Sequence, residues 1–232
     1  MAKIKLLHGT DHIIEVPDIT IGNTKNDYGK GFYCTREDEM AREWACKKNT
    51  DGFVNIYDMD LDELNILNLM DADNTILNWI AILLKFRTFD LKSEIAEDAR
   101  EYMIQNFSLD ITKYDIIIGY RADDSYFQYA ESFVSNSLPL RSLNKALKLG
   151  KLGEQTVLVS EKAFERIKFV DAYSVDKTIY YPKFIKRDTA ARDGYTKSIK
   201  KNKSYRDDIF VMDILREEMK NNDPRIQQII SE

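Results

Sequence analysis

Short apolar runs typical of β-strands lie on both sides of one long helical pattern, and this distribution constrains the fold more than any other feature. The predicted strands are residues 4–7, 31–35, 53–59, 114–120, 155–159 and 167–175. From about residue 60 to 110, apolar side chains such as Leu64, Leu67 and Met70 recur at helix-like intervals instead. This order of elements predicts an α+β domain that carries a helical insertion.

A chain of 232 residues is long enough for one domain with appendages. We expect the domain to occupy residues 1–182, with the helical insertion at about 60–110, and a C-terminal helix and tail at 207–232. Between them, residues 183–206 contain nine basic and two acidic side chains. This composition favours a solvated basic linker, and a contact surface for an acidic partner is the alternative.

Composition excludes several classes of protein. The start of the chain has no secretory signal pattern, and no apolar stretch approaches the roughly 18 residues that span a bilayer, so a cytoplasmic protein without membrane segments is expected. Two cysteines, with His8 and His12 as the only histidines, make a structural metal site improbable on ligand count. The net charge of -5 argues against broad nucleic-acid binding.

Polar and aromatic residues that can bind a ligand cluster around the first two predicted strands. His8, Gly9 and Thr10 follow the first strand directly, while Tyr28 and Tyr33 flank a glycine-rich approach to the second. Each position also has a structural interpretation. His8 is then a satisfied polar residue at a strand end, Tyr28 packs in a loop, and Tyr33 belongs to an aromatic pair of which one ring faces the core.

Adjacent carboxylates precede the helix that is predicted to follow the fourth strand. Asp123 and Asp124 are suited to binding a cation or acting as a base, but helix N-termini favour carboxylates for electrostatic reasons alone. Ser125 and Gln128 also have the spacing of a capping box. The capping role is therefore preferred for this segment.

The order of His8, Tyr33 and Gln155 along the chain resembles the three motifs of His-Tyr ADP-ribosyltransferases, the poly(ADP-ribose) polymerase type. Nearly the whole chain also resembles the bacterial domain of unknown function family 3990. The shared marks are residues 8–10, 26–33, Ala41, 44–45, 115–119, 122–124, Gln155 and 212–216. The resemblance implies a split, mostly antiparallel β core and NAD as co-substrate.

The same resemblance implies a role for each site residue. His8 would be a hydrogen-bond donor to the adenosine ribose, with Thr10 beside it, and the Gly9 backbone would clamp the nicotinamide amide. Tyr33 would stack on the nicotinamide ring, Tyr28 would lie over the adenine, and Gln155 would orient the ribose 2′-hydroxyl. His8, Tyr33 and Gln155 form the implied catalytic set.

Gln155 departs from the glutamate that the resemblance leads one to expect. A glutamine can form the hydrogen bond but lacks the full negative charge, which is worth a few kcal/mol in a preorganised site. The adjacent Glu154 would point to the opposite strand face, and Asp27 is a loop candidate for the missing carboxylate. Single transfer or NAD hydrolysis is therefore favoured over polymer extension, and Gln155→Glu is expected to leave cleavage unchanged or higher.

Three functions stay open at this point. The first is a mono-ADP-ribosyltransferase, toxin-like or regulatory, whose acceptor is unknown and includes nucleic acid among the alternatives. The second is a module that binds NAD or ADP-ribose without turnover, because the glutamate is absent. The third is an interaction subunit that grips an acidic antitoxin-like protein through the basic segment and terminal helix.

Overall fold

The computed structural model describes residues 3–122, 124–149, 153–201 and 205–231. Asp123 and the side chains of Asp124 and Ser125 lie outside this description, and so does the capping arrangement expected there. The chain forms two compact units. The first contains Met1–Asn68, Asp110–Arg121 and Gly153–Arg187, and the second contains Leu69–Leu109, Ala122–Leu152 and Asp188–Glu232.

Seven strands form two sheets in the described part of the first unit. They are β1 (Lys3–Thr10), β2 (Phe32–Cys34), β3 (Gly52–Asp60), β4 (Ile66–Asn68), β5 (Ile116–Tyr120), β6 (Glu154–Leu158) and β7 (Ile167–Val175). One sheet has the order β1-β3-β7 and the other β2-β6-β5-β4. All pairs are antiparallel except β4 with β5. The prediction of an α+β fold is confirmed.

Nine helices are described in addition to two short 3-10 turns. They are α1 (Asp38–Ala45), α2 (Ile76–Phe86), α3 (Glu94–Phe107), α4 (Asp124–Val134), α5 (Leu140–Leu149), α6 (Glu161–Arg166), α7 (Lys177–Lys201), α8 (Val211–Arg216) and α9 (Pro224–Ser231). Within the described ranges, no helix combines the length and apolarity that crossing a membrane requires.

Strand alternation gives the first unit two apolar cores. On β1, Leu6 faces the core between the two sheets, whereas its neighbour Leu7 faces the opposite side. The core between the sheets contains Leu6, Phe32, Cys34, Tyr57, Met59, Ile116, Leu158, Ala163 and Ile167. The core on the other side contains Leu7, Ala41, Ala45, Cys46, Val54 and Val175. Helix α1 therefore packs on the Leu7 side of β1.

The second unit is helical, and α2 lies at its centre. Residues 76–84 of this helix are all buried, which explains why the apolar pattern there continues around the whole helix. At the start of α2, the Asn78 side chain accepts a hydrogen bond from the Thr75 amide at 2.7 Å and donates to the Phe107 carbonyl at 2.8 Å. The bond to Phe107 joins α2 to the end of α3.

The predicted secondary structure was wrong in two places, at the start of the helical insertion and in the C-terminal tail. Residues 66–68 form β4 rather than helix, because Leu67 is buried in a parallel pair with β5. Apolar residues three positions apart in so short a segment fit either structure. At the other end, the predicted tail contains α9, whose Ile226 and Ile229 are buried.

Residues 183–201 form part of helix α7 rather than a linker, although most of the described side chains there are exposed, as their charge predicted. Residues 202–204 of the predicted linker lie outside the described residues. Lysine and arginine are good helix formers, and α1 supplies acidic partners for two of them. Lys183 Nζ lies 2.8 Å from Glu39 Oε2, and Arg187 Nε lies 2.7 Å from Glu43 Oε2. Part of the basic character is thus neutralised by the chain's own carboxylates.

Candidate active site at the separation of β1 and β2

Strands β1 and β2 meet at a single pair of residues and then separate. Leu7 and Thr35 exchange two backbone hydrogen bonds, of 2.8 and 2.9 Å. Continuing this register by two residues would pair Gly9 with Tyr33, but the Tyr33 carbonyl instead accepts a hydrogen bond from His8 Nδ1 at 2.7 Å. The imidazole thus takes the backbone acceptor that would otherwise continue the sheet, and a gap opens beside Gly9.

The backbone of Gly9 faces this gap. In an antiparallel ladder, the N–H and C=O groups of one residue point to the same side, and residues two apart point alike. Because Leu7 directs both groups toward β2, Gly9 does so too. The absence of a side chain has a separate cause: a Cβ on Gly9 would overlap the Ala41 carbonyl oxygen and lie 2.7 Å from the Ala45 nitrogen, both in α1.

The environment of His8 favours a neutral ring. A carbonyl oxygen only accepts, so the bond to Tyr33 requires a proton on Nδ1, and a neutral ring with this proton carries its lone pair on Nε2. Burial lowers the pKa of His8, the bond to the Tyr33 carbonyl opposes that effect, and nearby His12 lowers the pKa further. In the neutral ring Nε2 is an acceptor, whereas the resemblance implied a donor at His8.

The position of the His8 ring is set by stacking. Its centroid lies 4.5 Å from that of Phe32, with an interplanar angle of 29°. Phe32 belongs to the core between the sheets, as expected for the partner of Tyr33 in the alternating pair. The imidazole therefore lies at the margin of this core, and not on the sheet face that carries the Tyr33 ring.

The lowered pKa of His8 predicts an acid-sensitive fold. The unfolded chain takes up a proton at the ordinary value of 6.5, while the folded protein does so only at lower pH. Stability from neutral His8 is complete above pH 6.5 and is lost as the pH falls through the folded value. Thermal unfolding from about pH 8 to pH 5 should show this loss, and His8→Gln should reduce it. Exposed His12→Gln is the control, and an identical effect of both changes would contradict the assignment.

The Tyr33 phenol is held rigidly by a turn. Its hydroxyl donates to the Gly29 carbonyl at 2.7 Å and accepts from the Tyr28 amide at 3.0 Å. Gly29 has φ 75°, in the left-handed region that glycine adopts without a Cβ penalty. The half-buried Tyr33 ring is therefore presented in one orientation.

Tyr33 and Gln155 lie on the same sheet face. Tyr33 pairs directly with Val157 on β6, and cross-strand partners project to one side. Gln155 is two residues from Val157 on the same strand, so it shares that side. The three residues with motif resemblance thus occupy adjacent strands, with His8 attached to the Tyr33 carbonyl and Gln155 diagonal to the Tyr33 side chain.

Gln155 is 3% exposed and makes both of its hydrogen bonds through nitrogen. Its Nε2 donates to Asp27 Oδ2 and to the Tyr120 carbonyl, each at 3.0 Å. Both partners are acceptors, which determines the orientation of the amide. Among the residues that the structure describes, none bonds to Gln155 Oε1, so this oxygen is the atom with which the side chain can accept from a ligand.

The remaining expected ligand residues are placed differently. Tyr28 is 1% exposed, and its hydroxyl donates to the Tyr120 carbonyl at 2.7 Å, which assigns it to packing rather than to a face for adenine. Thr10 ends β1 half-buried, with its hydroxyl 3.4 Å from Asp11 Oδ1. His12 is exposed, as the sequence predicted for a loop residue.

Asn55 was missed by the sequence analysis. This fully buried residue of β3 accepts from the Ile14 amide at 2.9 Å and donates to the His12 carbonyl at 3.2 Å and the His8 carbonyl at 3.4 Å. It thereby fixes the path of the chain as it leaves β1. A polar residue at the centre of an apolar strand was the available signal, since a buried amide requires partners.

Trp44 is only half-buried, although the helical pattern predicted a core position. The Arg121 guanidinium lies over its ring, 5.0 Å from the centroid. Its Nε1 is buried, and no other part of the described chain accepts a hydrogen bond from it. The buried indole N–H is therefore a donor that the described part of the chain leaves without an acceptor.

The His, Cys, Asp and Glu side chains of the described ranges form no cluster of metal ligands, and both thiols are buried. There, no three side chains of the His, Cys, Asp or Glu type come together as metal ligands. Cys34 and Cys46 are both free and buried. Burial raises the pKa of each thiol, which keeps both in the neutral, weakly nucleophilic form.

Comparison with known proteins gives a family but no activity. No curated protein and no solved structure matches the sequence significantly. A family model described as "Protein of unknown function (DUF3990)" matches residues 4–169, which run from β1 into β7 and include His8, Tyr33 and Gln155. Because the match spans more than half of the sequence, the chain belongs to the DUF3990 family.

Proposed function

We propose that this protein is an NAD-dependent mono-ADP-ribosyltransferase, a toxin-like or regulatory enzyme of the cytoplasm. One observation carries the proposal: His8, Tyr33 and Gln155 lie on three adjacent strands next to the point where β1 and β2 separate, with Tyr33 and Gln155 on one sheet face. The two facing, mostly antiparallel sheets support an ADP-ribosyltransferase-like fold. Helices α2 and α3 lie within residues 60–110, the range of the insertion expected for such a fold.

Each group at the gap complements part of NAD. The Gly9 N–H can donate to the carboxamide oxygen of nicotinamide, and the Gly9 carbonyl can accept from its nitrogen. The Tyr33 ring supplies a fixed aromatic face for the pyridinium, to which aromatic π-systems are attracted. His8 Nε2 accepts from a hydroxyl of the adenosine ribose, since Nδ1 is already bound to the Tyr33 carbonyl.

The reaction breaks the bond between the ribose anomeric carbon and the nicotinamide nitrogen. Both electrons of this bond go to the pyridinium nitrogen, so nicotinamide leaves as a neutral molecule and positive charge develops on the ribose. An acceptor hydroxyl, amine or water then bonds to the anomeric carbon and releases its proton to solvent. Gln155 Oε1 would hold the ribose 2′-hydroxyl during this step, and positioning would provide much of the rate.

The glutamine at position 155 favours single transfer or NAD hydrolysis. A neutral amide stabilises the oxocarbenium-like ribose less than a carboxylate does, which lowers the expected rate. Polymer extension requires repeated capture of this ion by an ADP-ribose hydroxyl. Transfer to one acceptor, whether protein, nucleic acid, a small molecule or water, is therefore the activity that we propose.

The test combines binding with turnover. Purified protein is incubated with NAD labelled in the adenylate and with cell extract, while nicotinamide release and labelled macromolecules are measured. We expect release by the wild type and about a tenfold weaker NAD affinity for His8→Ala, the cost of about one lost hydrogen bond. His12→Ala is the matched control and should bind as the wild type does. Undetectable NAD binding would contradict the proposal.

A binding module for NAD or ADP-ribose is the second candidate. It is favoured by the near-complete burial of Gln155, whose amide nitrogen already has two protein partners. Such a module would bind NAD in the assay above without releasing nicotinamide. For an antitoxin-like partner, the basic segment gives weaker support, because Lys183 and Arg187 are paired with α1.

A further inference from the structure

Asp27 and Gln155 form a buried polar pair between residues that are distant in sequence. Asp27 is 6% exposed and Gln155 is 3% exposed, with 3.0 Å between Asp27 Oδ2 and Gln155 Nε2. Aspartate is seldom buried unless it is paired, because desolvation disfavours the carboxylate. The loop before β2 thus delivers an acidic group to the single position at which the expected glutamate is absent.

Through their hydrogen bond, the Asp27 carboxylate polarises the Gln155 amide and makes its oxygen a better acceptor. A bond from an amide N–H to a carboxylate is charge-assisted and stronger than a neutral one. In a buried network such bonds polarise one another, so electron density shifts toward Gln155 Oε1 and makes it a better acceptor. The Tyr120 carbonyl binds the second amide hydrogen and prevents rotation of the group.

We propose that Asp27 and Gln155 together replace the glutamate, with Asp27 supplying the negative charge and Gln155 Oε1 contacting the ribose 2′-hydroxyl. The inference rests on the proposed transferase function. Asp27 is a positioning residue, since it contacts the amide and not the ligand. The Asp27 charge stabilises the cationic ribose from behind the Gln155 amide. The Gln155 amide, which Asp27 holds in place, binds the ribose 2′-hydroxyl.

This arrangement reverses the expectation for Gln155→Glu. A glutamate at 155 would place a second carboxylate about 3 Å from Asp27 and face the Tyr120 carbonyl with another acceptor. Two carboxylates at this distance do not both ionise, so one would hold a proton. Nicotinamide release should fall about tenfold or more instead of rising.

The decisive variant is Asp27→Asn, which removes the charge but keeps an oxygen that can accept from Gln155 Nε2. We expect kcat for nicotinamide release to fall at least about tenfold, with KM within about twofold, at a temperature well below the melting transition of the variant. If Asp27 only anchored the Gln155 amide, the asparagine variant would keep that hydrogen bond and kcat would be unchanged. Glu154→Gln is the matched control, because it removes the same charge from the neighbouring residue on the opposite strand face.

The double variant Asp27→Asn with Gln155→Glu exchanges the two groups: position 155 then carries the negative charge and position 27 carries the amide donor. It should turn over faster than either single variant, which also keeps the test valid if Asp27→Asn alone folds poorly. Unchanged kcat in Asp27→Asn, or a double variant slower than both singles, would overturn this inference and leave the transferase function intact. If the wild type releases no nicotinamide, the transferase function fails first, and this inference fails with it.

Discussion

Replacing Tyr33 with alanine is expected to lower kcat/KM for NAD cleavage by about 100-fold. Stacking of a base on an aromatic side chain is worth roughly 1–3 kcal/mol, and each 1.4 kcal/mol is about tenfold. The Tyr33 ring is also held by two hydrogen bonds of its hydroxyl, so little ordering remains to be done when the ligand binds. The effect should be at the upper end of this range for that reason.

Tyr33→Phe separates the ring from its anchoring bonds. Phenylalanine keeps the stacking face but loses the contacts to the Tyr28 amide and the Gly29 carbonyl. We expect NAD cleavage within about tenfold of the wild type and a lower melting temperature, since each lost bond costs about 1 kcal/mol. Steady-state kinetics and thermal unfolding of both variants measure these quantities. Equal kinetic losses in the two variants would contradict stacking and indicate that the turn alone matters.

Replacing Gly9 with alanine is expected to destabilise the protein by about 3 kcal/mol, the upper end of overpacking costs. The added methyl would overlap the Ala41 carbonyl oxygen and lie 2.7 Å from the Ala45 nitrogen. Both are helix backbone atoms, so neither can move by a rotamer change. For a chain of this size, such a loss lowers the melting temperature by roughly 6–12 °C.

Gly22→Ala provides the matched control for this effect. The nearest atom to its added methyl is Lys30 Cγ at 2.7 Å, which belongs to a flexible side chain, and the nearest backbone atom is the Gly31 nitrogen at 3.1 Å. A surface change of this kind usually costs within about 0.5 kcal/mol. Thermal or urea unfolding of the two variants in parallel compares them directly. Similar stabilities would show that α1 can move away from β1, and the gap beside Gly9 would then be less rigid than described.

The basic segment shows why local charge predicted the wrong structure. Its high charge predicted a linker because the partners of its basic residues could not be identified from the sequence. Lys183 and Arg187 pair with Glu39 and Glu43, which lie 144 positions earlier in α1. Composition carries no information about such distant pairs. The three-residue strand β4 presents the same difficulty, because only its pairing with β5 distinguishes it from a short helical turn.

The sequence identified the residues of the candidate site but not the contacts that they make. His8, Gly9, Tyr33 and Gln155 were identified from motif order, and the structure places them on adjacent strands. Motif order did not show that His8 Nδ1 donates to the Tyr33 carbonyl, because this bond joins two strands. Nor did it assign Tyr28 to packing, because burial depends on segments far away in the sequence.

The sequence by itself determined the α+β class, most strand positions and the order of the motif residues, since all of these follow from local periodicity and spacing. Only the tertiary structure decided that β1 and β2 part at His8, and that Asp27 meets Gln155. Both depend on hydrogen bonds between groups that are distant along the chain. A buried donor must find its acceptor in three dimensions, and that requirement leaves no periodic trace in the sequence.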